Sequence, residues 1–426
     1  MRRRFWLITT LLSVSVLMMA GNEKGAAVSG SATGADLTCA SSTTLESLAT
    51  CIRAQIPKEG SKGFVAPNAT EQADWRKVVN RMLRGSCEFA LPASLSGKMQ
   101  IKTLFDSANG RNYCVLMEVL DANGDSIVDR GWGTFIVYNG AARELSHQAP
   151  HPISDSTTEI QAITIFKETD SRSYLMAGAT RDANSANSTC QSPFKEADVA
   201  HNTANMFHAT NQELINWYGV ASWNAIQWHG MVADTCPNTE VYPTHGMDVA
   251  PQAADKISVL RSNLLVHHPT WKVDRPGAGV CSLSATDNTQ GRLINGVAAG
   301  SVCGTAASSY NGRFIHIEQD PDFRNPSDWI NPIRDSWLTA PTNLTATAGR
   351  RRIILNWNAS SGVQSYAIKR STTSGGPYKT VASHVIKPAY INTGLSPGVR
   401  YYYVVTAVNA AGESANSNQA SAKAKF

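Results

Sequence analysis

The sequence predicts two folded parts of different class: an α/β domain whose mixed sheet carries helices on both faces, followed by an all-β sandwich. Three observations predict this. Between residues 96 and 338, short β-rich apolar runs alternate with segments of helical periodicity, the pattern of a sheet layered between helices. At Ala340-Pro341 the composition changes to short alternating strands and Gly-Pro turns. All eight cysteines lie between Cys39 and Cys303, so stapling is confined to the first part.

Taken in order, residues 1–20 read as a signal peptide: Arg2, Arg3 and Arg4, an apolar stretch from Phe5 to Met19, then Ala20. Residues 21–36, rich in Gly, Ala and Ser, read as a flexible linker. Later apolar runs are too brief to cross a bilayer, so the mature chain is expected to have no membrane span and to be secreted, periplasmic or at the cell surface. In 37–95, Leu45, Leu48, Ala49 and Ile52, then Trp75, Val78, Val79 and Met82, fall at helical spacing. This segment is expected to form a helical, Cys-bearing cap on the main domain.

Within 96–338, strands are expected at Cys114–Leu120, Trp132–Tyr138, Tyr174–Ala177, Ala225–Trp228 and Phe314–Ile317. Helices are expected at Glu159–Lys167, Thr203–Trp217 and Ile257–Val266. Cys39, Cys51, Cys87, Cys114, Cys190, Cys236, Cys281 and Cys303 show no paired CxxC spacing and read as disulfides of an exported protein, their pairing left open. A net charge of +5, with no basic run beyond the leader and Arg350–Arg352, gives nucleic-acid binding no support.

The candidate chemistry lies where predicted strands end, which is where ligands gather on an α/β sheet. His151 and Asp155 follow one strand, four residues apart across a turn, close enough to share a metal ion. Asp155 can equally be read as the N-cap of the next helix, with Glu159 as its capping-box partner. His229 ends the run Ala225-Ile-Gln-Trp and precedes Gly230, which would let the backbone turn sharply. It reads as a third ligand, or else as a core histidine. Two neighbouring ligands, a distant third and an open fourth position are the plan of a catalytic zinc site. In Arg313-Phe-Ile-His-Ile-Glu-Gln, the period of two puts Phe314, His316 and Glu318 on one face. A carboxylate there is costly unless paired, so Glu318 reads as the general base that takes a proton from the attacking water.

Arg181, after a buried strand, and Arg292, in an amide-rich segment, are candidates to bind a substrate carboxylate. Arg181 can also be read as pairing with Asp182 or Asp198. Asp198 and His201 are read as partners that orient a ligand, or as helix-capping residues. His245, His267 and His268 have no assigned role.

Two resemblances follow from these residues. Pro341-Thr-Asn-Leu, Leu355-Asn-Trp, Tyr366-Ala-Ile-Lys-Arg-Ser, Gly375-Gly-Pro-Tyr and Ala407-Val-Asn-Ala-Ala-Gly resemble a fibronectin type III domain over residues 341–426. Leu395, Pro397, Gly398 and Tyr401 match its tyrosine corner, which makes Trp357 a core residue between two sheets. Pro150-His151, Asp155, His229 and Glu318 occur in the order found in carboxypeptidase-like zinc amidohydrolases of the N-formylglutamate amidohydrolase and poly-γ-glutamate hydrolase type. This chain has Asp where those families more usually have Glu, and its Cys-bearing segment has no counterpart there. The resemblance implies a zinc-carboxypeptidase-like α/β domain over 96–338 that hydrolyses amide bonds in a peptide or N-acyl amino-acid substrate. Extracellular polysaccharide is a further expected partner, through the fibronectin module. The alternatives are a metal-dependent phosphoesterase and a non-catalytic surface or polysaccharide-binding protein that uses the fibronectin module.

Overall fold

The computed structural model describes residues 37–426 apart from 234, 278, 280, 361, 410 and 411. The expected signal peptide and linker lie outside the described residues. Two helices come first. In α1 (Leu45–Gln55) and α2 (Ala69–Leu83), capping boxes built by Thr44 with Ser47 and by Asn68 with Glu71 satisfy the first free amides.

An eight-stranded sheet follows: β1 (Met99–Asp106), β2 (Arg111–Glu118), β3 (Thr134–Val137), β4 (Arg143–Ala149), β5 (Ser171–Met176), β6 (Asn224–Trp228), β7 (Val241–Thr244) and β8 (Phe314–Gln319), in the order β1-β2-β3-β5-β4-β6-β8-β7. The middle pairings β5-β4, β4-β6 and β6-β8 are parallel, and antiparallel pairs close both sides. The sheet is mixed, as expected. Strand β7 carries Pro243, which this edge position tolerates because its outer side is bridged at Val241, to Val273, and not at the proline.

Side chains alternate between two cores. Tyr113, Val115 and Met117 of β2 enter one, Cys114 and Leu116 the other. On the first face lie α1, α3 (Thr158–Glu168), α5 (Lys256–His267) and α7 (Pro326–Ser336); on the second lie α2, α4 (Met206–Tyr218) and α6 (Thr289–Ile294). This corrects one expectation. Segment 37–95 is not a cap, because Leu45, Leu48 and Ile52 belong to the first core while Trp75, Val78 and Met82 belong to the second. The helical periodicity was legible; the opposite sides of the sheet to which the two helices go were not.

All eight cysteines pair, as Cys39–Cys51, Cys87–Cys114, Cys190–Cys303 and Cys236–Cys281. Four disulfides are compatible with an extracellular protein. Among the described residues no helix is long and apolar enough to cross a membrane.

The C-terminal part is a sandwich of a three-stranded sheet, β13 (Ala389–Thr393), β10 (Arg352–Asn358) and β9 (Thr342–Gly349), and a five-stranded sheet. The latter holds β12 (Lys379–Val385), β11 (Ser365–Ser371), β14 (Arg400–Asn409), β15 (Gly412–Glu413) and β16 (Ala420–Lys423). Trp357 is buried between the sheets with Leu355, Tyr366 and Tyr403, and the Tyr401 hydroxyl accepts the Ser396 amide at 3.2 Å, the hydrogen bond of the tyrosine corner.

Candidate metal centre

Parallel pairing brings the carboxyl ends of β4, β6 and β8 side by side. The three strands deliver His151 and Asp155, His229, and His316 with Glu318 to one cavity of about 310 Å3. His151, Asp155, His229 and His316 are 4%, 3%, 4% and 4% exposed, so water screens their charges little. Ligand atoms of His151, Asp155 and His229 lie within 4.8 Å of one another, and those of His229, His316 and Glu318 do likewise.

The 151–157 loop is held for this purpose. Ile153 and Thr157, both β-branched, adopt positive φ of 67° and 70°, which costs about 1–3 kcal/mol each and marks a conformation imposed by its surroundings. The N-cap of α3 is Thr157, without a side-chain cap bond, so Asp155 is not the cap. Glu159 is no capping-box partner either: its buried carboxylate pairs with Arg53 at 2.5 Å. Asp155 turns inward instead. Its Oδ2 lies 3.1 Å from His151 Nδ1 and 3.3 Å from His229 Nδ1, and accepts the Gly230 amide at 3.2 Å, while Oδ1 takes Arg181 at 3.0 Å.

The charges follow from these contacts. Burial alone would raise the Asp155 carboxyl, but the His151 and His229 imidazoles hold it well below the ordinary carboxylate range. Burial opposes charging His151, yet Asp198 and Asp155 on its two sides push its pKa up to about 9. Asp198 Oδ1 lies 3.0 Å from His151 Nε2, and also caps a short helix through the Ala200 amide at 3.1 Å. Burial lowers His229 to about 4 and takes His316 well below its usual value. Burial, reinforced by Asp155, raises Glu318 to about 8.

Two imidazole nitrogens and one carboxylate oxygen converging in a buried pocket are a donor set that fits zinc. Nδ1 of both histidines faces the same Asp155 oxygen, and on His151 the remaining nitrogen is engaged by a second carboxylate, the arrangement that orients imidazole ligands. Glu318 stands beside the set, its Oε1 3.4 Å from His316 Nε2. The Nδ1 atom of His316 is buried without a hydrogen-bond partner. The period of two in β8 puts His316 on the face of Glu318, which is the signal in the sequence for its place here.

Arg181 lines the cavity, paired with Asp155 rather than with Asp182 or Asp198. Arg292 does not reach it. Its guanidinium donates to the carbonyls of Thr286, Val302 and Cys303, so it secures a loop and cannot clamp a substrate carboxylate from there. His201 lines the cavity, bonded to Gln191 at 2.7 Å and stacked on Phe194 with ring centroids 3.4 Å apart. His245 stacks on Tyr310 elsewhere, and His267 and His268 bond to Asp335 and to the Asp328 carbonyl of α7.

Sequence reasoning missed Arg324. This buried arginine donates to the carbonyls of Asp155 (3.1 Å), Ser156 (3.0 Å), Met231 (2.8 Å) and Gln319 (3.1 Å), tying together the segments that follow β4, β6 and β8. It also explains Gly230, whose φ is not among the positive ones. What requires glycine is space, since a Cβ there would stand 2.3 Å from the Arg324 guanidinium carbon. Displacing that group breaks several buried bonds, so Gly230→Ala is expected to cost about 1–3 kcal/mol. Thermal unfolding with and without zinc checks this, the variant melting lower and gaining less from the metal.

Residues 339–423 match the model of the fibronectin type III domain. This domain is homologous to modules of amylopullulanases. The chain is 42% identical over 93 residues to the amylopullulanase of Thermoanaerobacter thermohydrosulfuricus, 21% of this chain and 6% of the relative. It is 37% identical over 78 residues to that of Thermoanaerobacterium saccharolyticum, 18% of this chain and 6% of the relative. The chain therefore spans only a small part of the curated relatives it matches. Among solved structures, a Fn3-like protein from Clostridium thermocellum is 42% identical over 20% of this chain and 92% of that one, with a TM-score of 0.19. A β-1,2-glucanase from Parabacteroides distasonis is 33% identical over 21% of this chain and 13% of that one, with a TM-score of 0.20.

Proposed function

We propose that the chain is an exported zinc-dependent hydrolase of amide or peptide bonds, acting on a substrate that bears a carboxylate. The observation that carries this reading is the convergence of His151, Asp155 and His229 within 4.8 Å, with Glu318 on the same cavity wall. Bound there, zinc supplies Lewis acidity, polarising a carbonyl and making water acidic enough to attack near neutral pH. Asp155 and the two histidines hold the cation, and Asp198 orients His151. Glu318 takes the proton of the attacking water on its carboxylate and returns it to the leaving amine. Arg181 is the one arginine or lysine among the described lining residues, and it anchors the substrate carboxylate. With Arg292 committed to its loop, that anchoring falls to a single guanidinium.

Metal analysis tests the reading. Protein prepared without chelators is expected to hold about one equivalent of zinc, the count for a single catalytic site, and His229→Ala to lose it. Protein that arrives without zinc and takes up none on addition would sink the proposal.

A second reading, action on or attachment to polysaccharide, draws on the similarity of the C-terminal module to those of amylopullulanases. It is compatible with the first if the module tethers the hydrolase to a polymer. Sedimentation of the full chain with insoluble polysaccharide tests it, with retention expected and free protein throughout counting against it.

A further inference from the structure

We propose that His201 and Asp287 form a subsite for a primary ammonium group, so that the preferred substrate is a peptide bearing a free amine as well as a carboxylate. The inference rests on reading the cavity as a hydrolase site. It narrows the substrate class from amides in general to zwitterionic ones.

Both residues line the cavity, on segments that disulfides hold in place. Cys190–Cys303 fixes the stretch that carries Gln191 and Phe194, and Cys236–Cys281 fixes the start of the stretch that carries Asp287. Gln191 joins the two stretches, its Nε2 donating to the Asp287 carbonyl at 2.8 Å and to the Cys303 carbonyl at 3.2 Å. A carbonyl only accepts, so this end of the Gln191 amide is nitrogen, and the oxygen 2.7 Å from His201 Nδ1 is an acceptor. His201 therefore donates from Nδ1. Phe194 lies flat on the ring and fixes its tilt, as Gln191 fixes its rotation. The Nε2 edge remains, without a partner among the described residues and open to the cavity that the ring lines. Burial lowers the imidazole below its ordinary pKa, so near neutral pH this edge is an acceptor.

Asp287 is half-buried, and its carboxylate has no hydrogen bond or ion pair among the described residues. Arg292 acts on it only through space, because that guanidinium gives its N–H groups to three carbonyls. Arg181 is not part of the pair; it bonds Asp155 at 3.0 Å beside the metal position. A partly desolvated carboxylate without a partner is costly, and the imidazole near it adds a second acceptor and no donor. The group that fits is compact, positively charged and rich in N–H donors. An ammonium offers three donors from one atom, whereas a hydroxyl would leave the charge uncompensated.

Calorimetric titration of the full chain, with and without zinc, tests this with tri-alanine, N-acetyl-tri-alanine and N-acetyl-alanyl-lysyl-alanine as probes. At least one of the two amine-bearing peptides is expected to bind about 10- to 100-fold more tightly than N-acetyl-tri-alanine, the range for a charge-assisted hydrogen bond. Tri-alanine ahead would place the amine at the peptide's amino terminus, and the lysyl peptide ahead would place it on a side chain. Asp287→Asn, which keeps the shape, is expected to erase the preference and leave N-acetyl-tri-alanine bound as before. His201→Phe keeps a ring against Phe194 without an acceptor, and is expected to weaken the amine-bearing peptide alone. Equal affinity for all three probes in the wild type would overturn the proposal, whether or not the variants fold. So would the absence of any binding, or a preference left unchanged in either variant. A preference in protein that takes up no zinc and cleaves none of the peptides would end the hydrolase reading and leave the ammonium subsite standing.

Discussion

Glu318→Gln is expected to keep its zinc and to lose hydrolysis by about a hundred- to ten-thousand-fold, the range over which a positioned general base contributes. The substitution preserves shape and one acceptor oxygen but cannot carry a proton between water and leaving group. Glu318 sits near the end of β8, outside the proposed ligand group of His151, Asp155 and His229 but within a second group with His229 and His316, so the zinc content of the variant tells which group holds the ion. Burial and the neighbouring Asp155 raise its pKa to about 8, which places it near the working pH of a general base rather than among fully ionised surface carboxylates. Zinc content and turnover, measured on the same preparations against a panel of N-acyl amino acids and peptides, separate the roles. Loss of zinc in Glu318→Gln would make Glu318 a ligand, and turnover equal to wild type would remove it from the chemistry.

How far the fold could be read depended on what each residue pattern reports. The apolar run of β2 and the alternation in β8 specified strands because side-chain period and burial agree there. β1, with half-exposed residues over most of its length, and β7, four residues long and containing Pro243, carry weak versions of the same signal and were not found. The helices of 37–95 were legible from Leu45, Leu48, Trp75 and Val78, but periodicity reports an apolar stripe and not which face of the sheet it covers.

The site shows the same division. His151, Asp155, His229 and Glu318 could be placed together because each follows or ends a predicted strand, and parallel strands deliver such positions to one edge. Arg292 looked like a substrate anchor because a guanidinium in an amide-rich loop suits a carboxylate. Three backbone carbonyls occupy it instead, and carbonyl positions leave no trace in residue identity. Arg324 was invisible for the same reason, since its partners are set by tertiary contacts across three strand ends.

His151 makes a pH dependence with a definite sign. In the metal-free protein its ring lies between two carboxylates, with Nδ1 3.1 Å from Asp155 and Nε2 3.0 Å from Asp198. Burial opposes the charge, but those two neighbours raise its pKa to about 9. A pKa raised above that of the unfolded chain contributes stability that is fully present below about 6.5 and is lost as pH rises through about 9. Asp155 works in the opposite sense, contributing above its unfolded pKa and losing the contribution as pH falls through its depressed folded value. The metal-free site is therefore firmest in mildly acidic solution. Zinc needs the Nδ1 lone pair and must displace that proton. Its apparent affinity is expected to climb by about tenfold per pH unit up to roughly pH 9 and then level, since one proton is exchanged per ion bound. Asp198→Asn removes one of the two carboxylates that raise His151, so its curve should level at lower pH. It should also lie about 10- to 100-fold below wild type on the plateau, the usual loss when an imidazole ligand is deprived of its carboxylate partner. Zinc titrations against a competing chelator from about pH 6 to about pH 10 span the rise and the plateau and measure both quantities. An affinity that stays flat over that range would mean that His151 carries no proton there, and that the ring is not held between its two carboxylates in the way the distances describe.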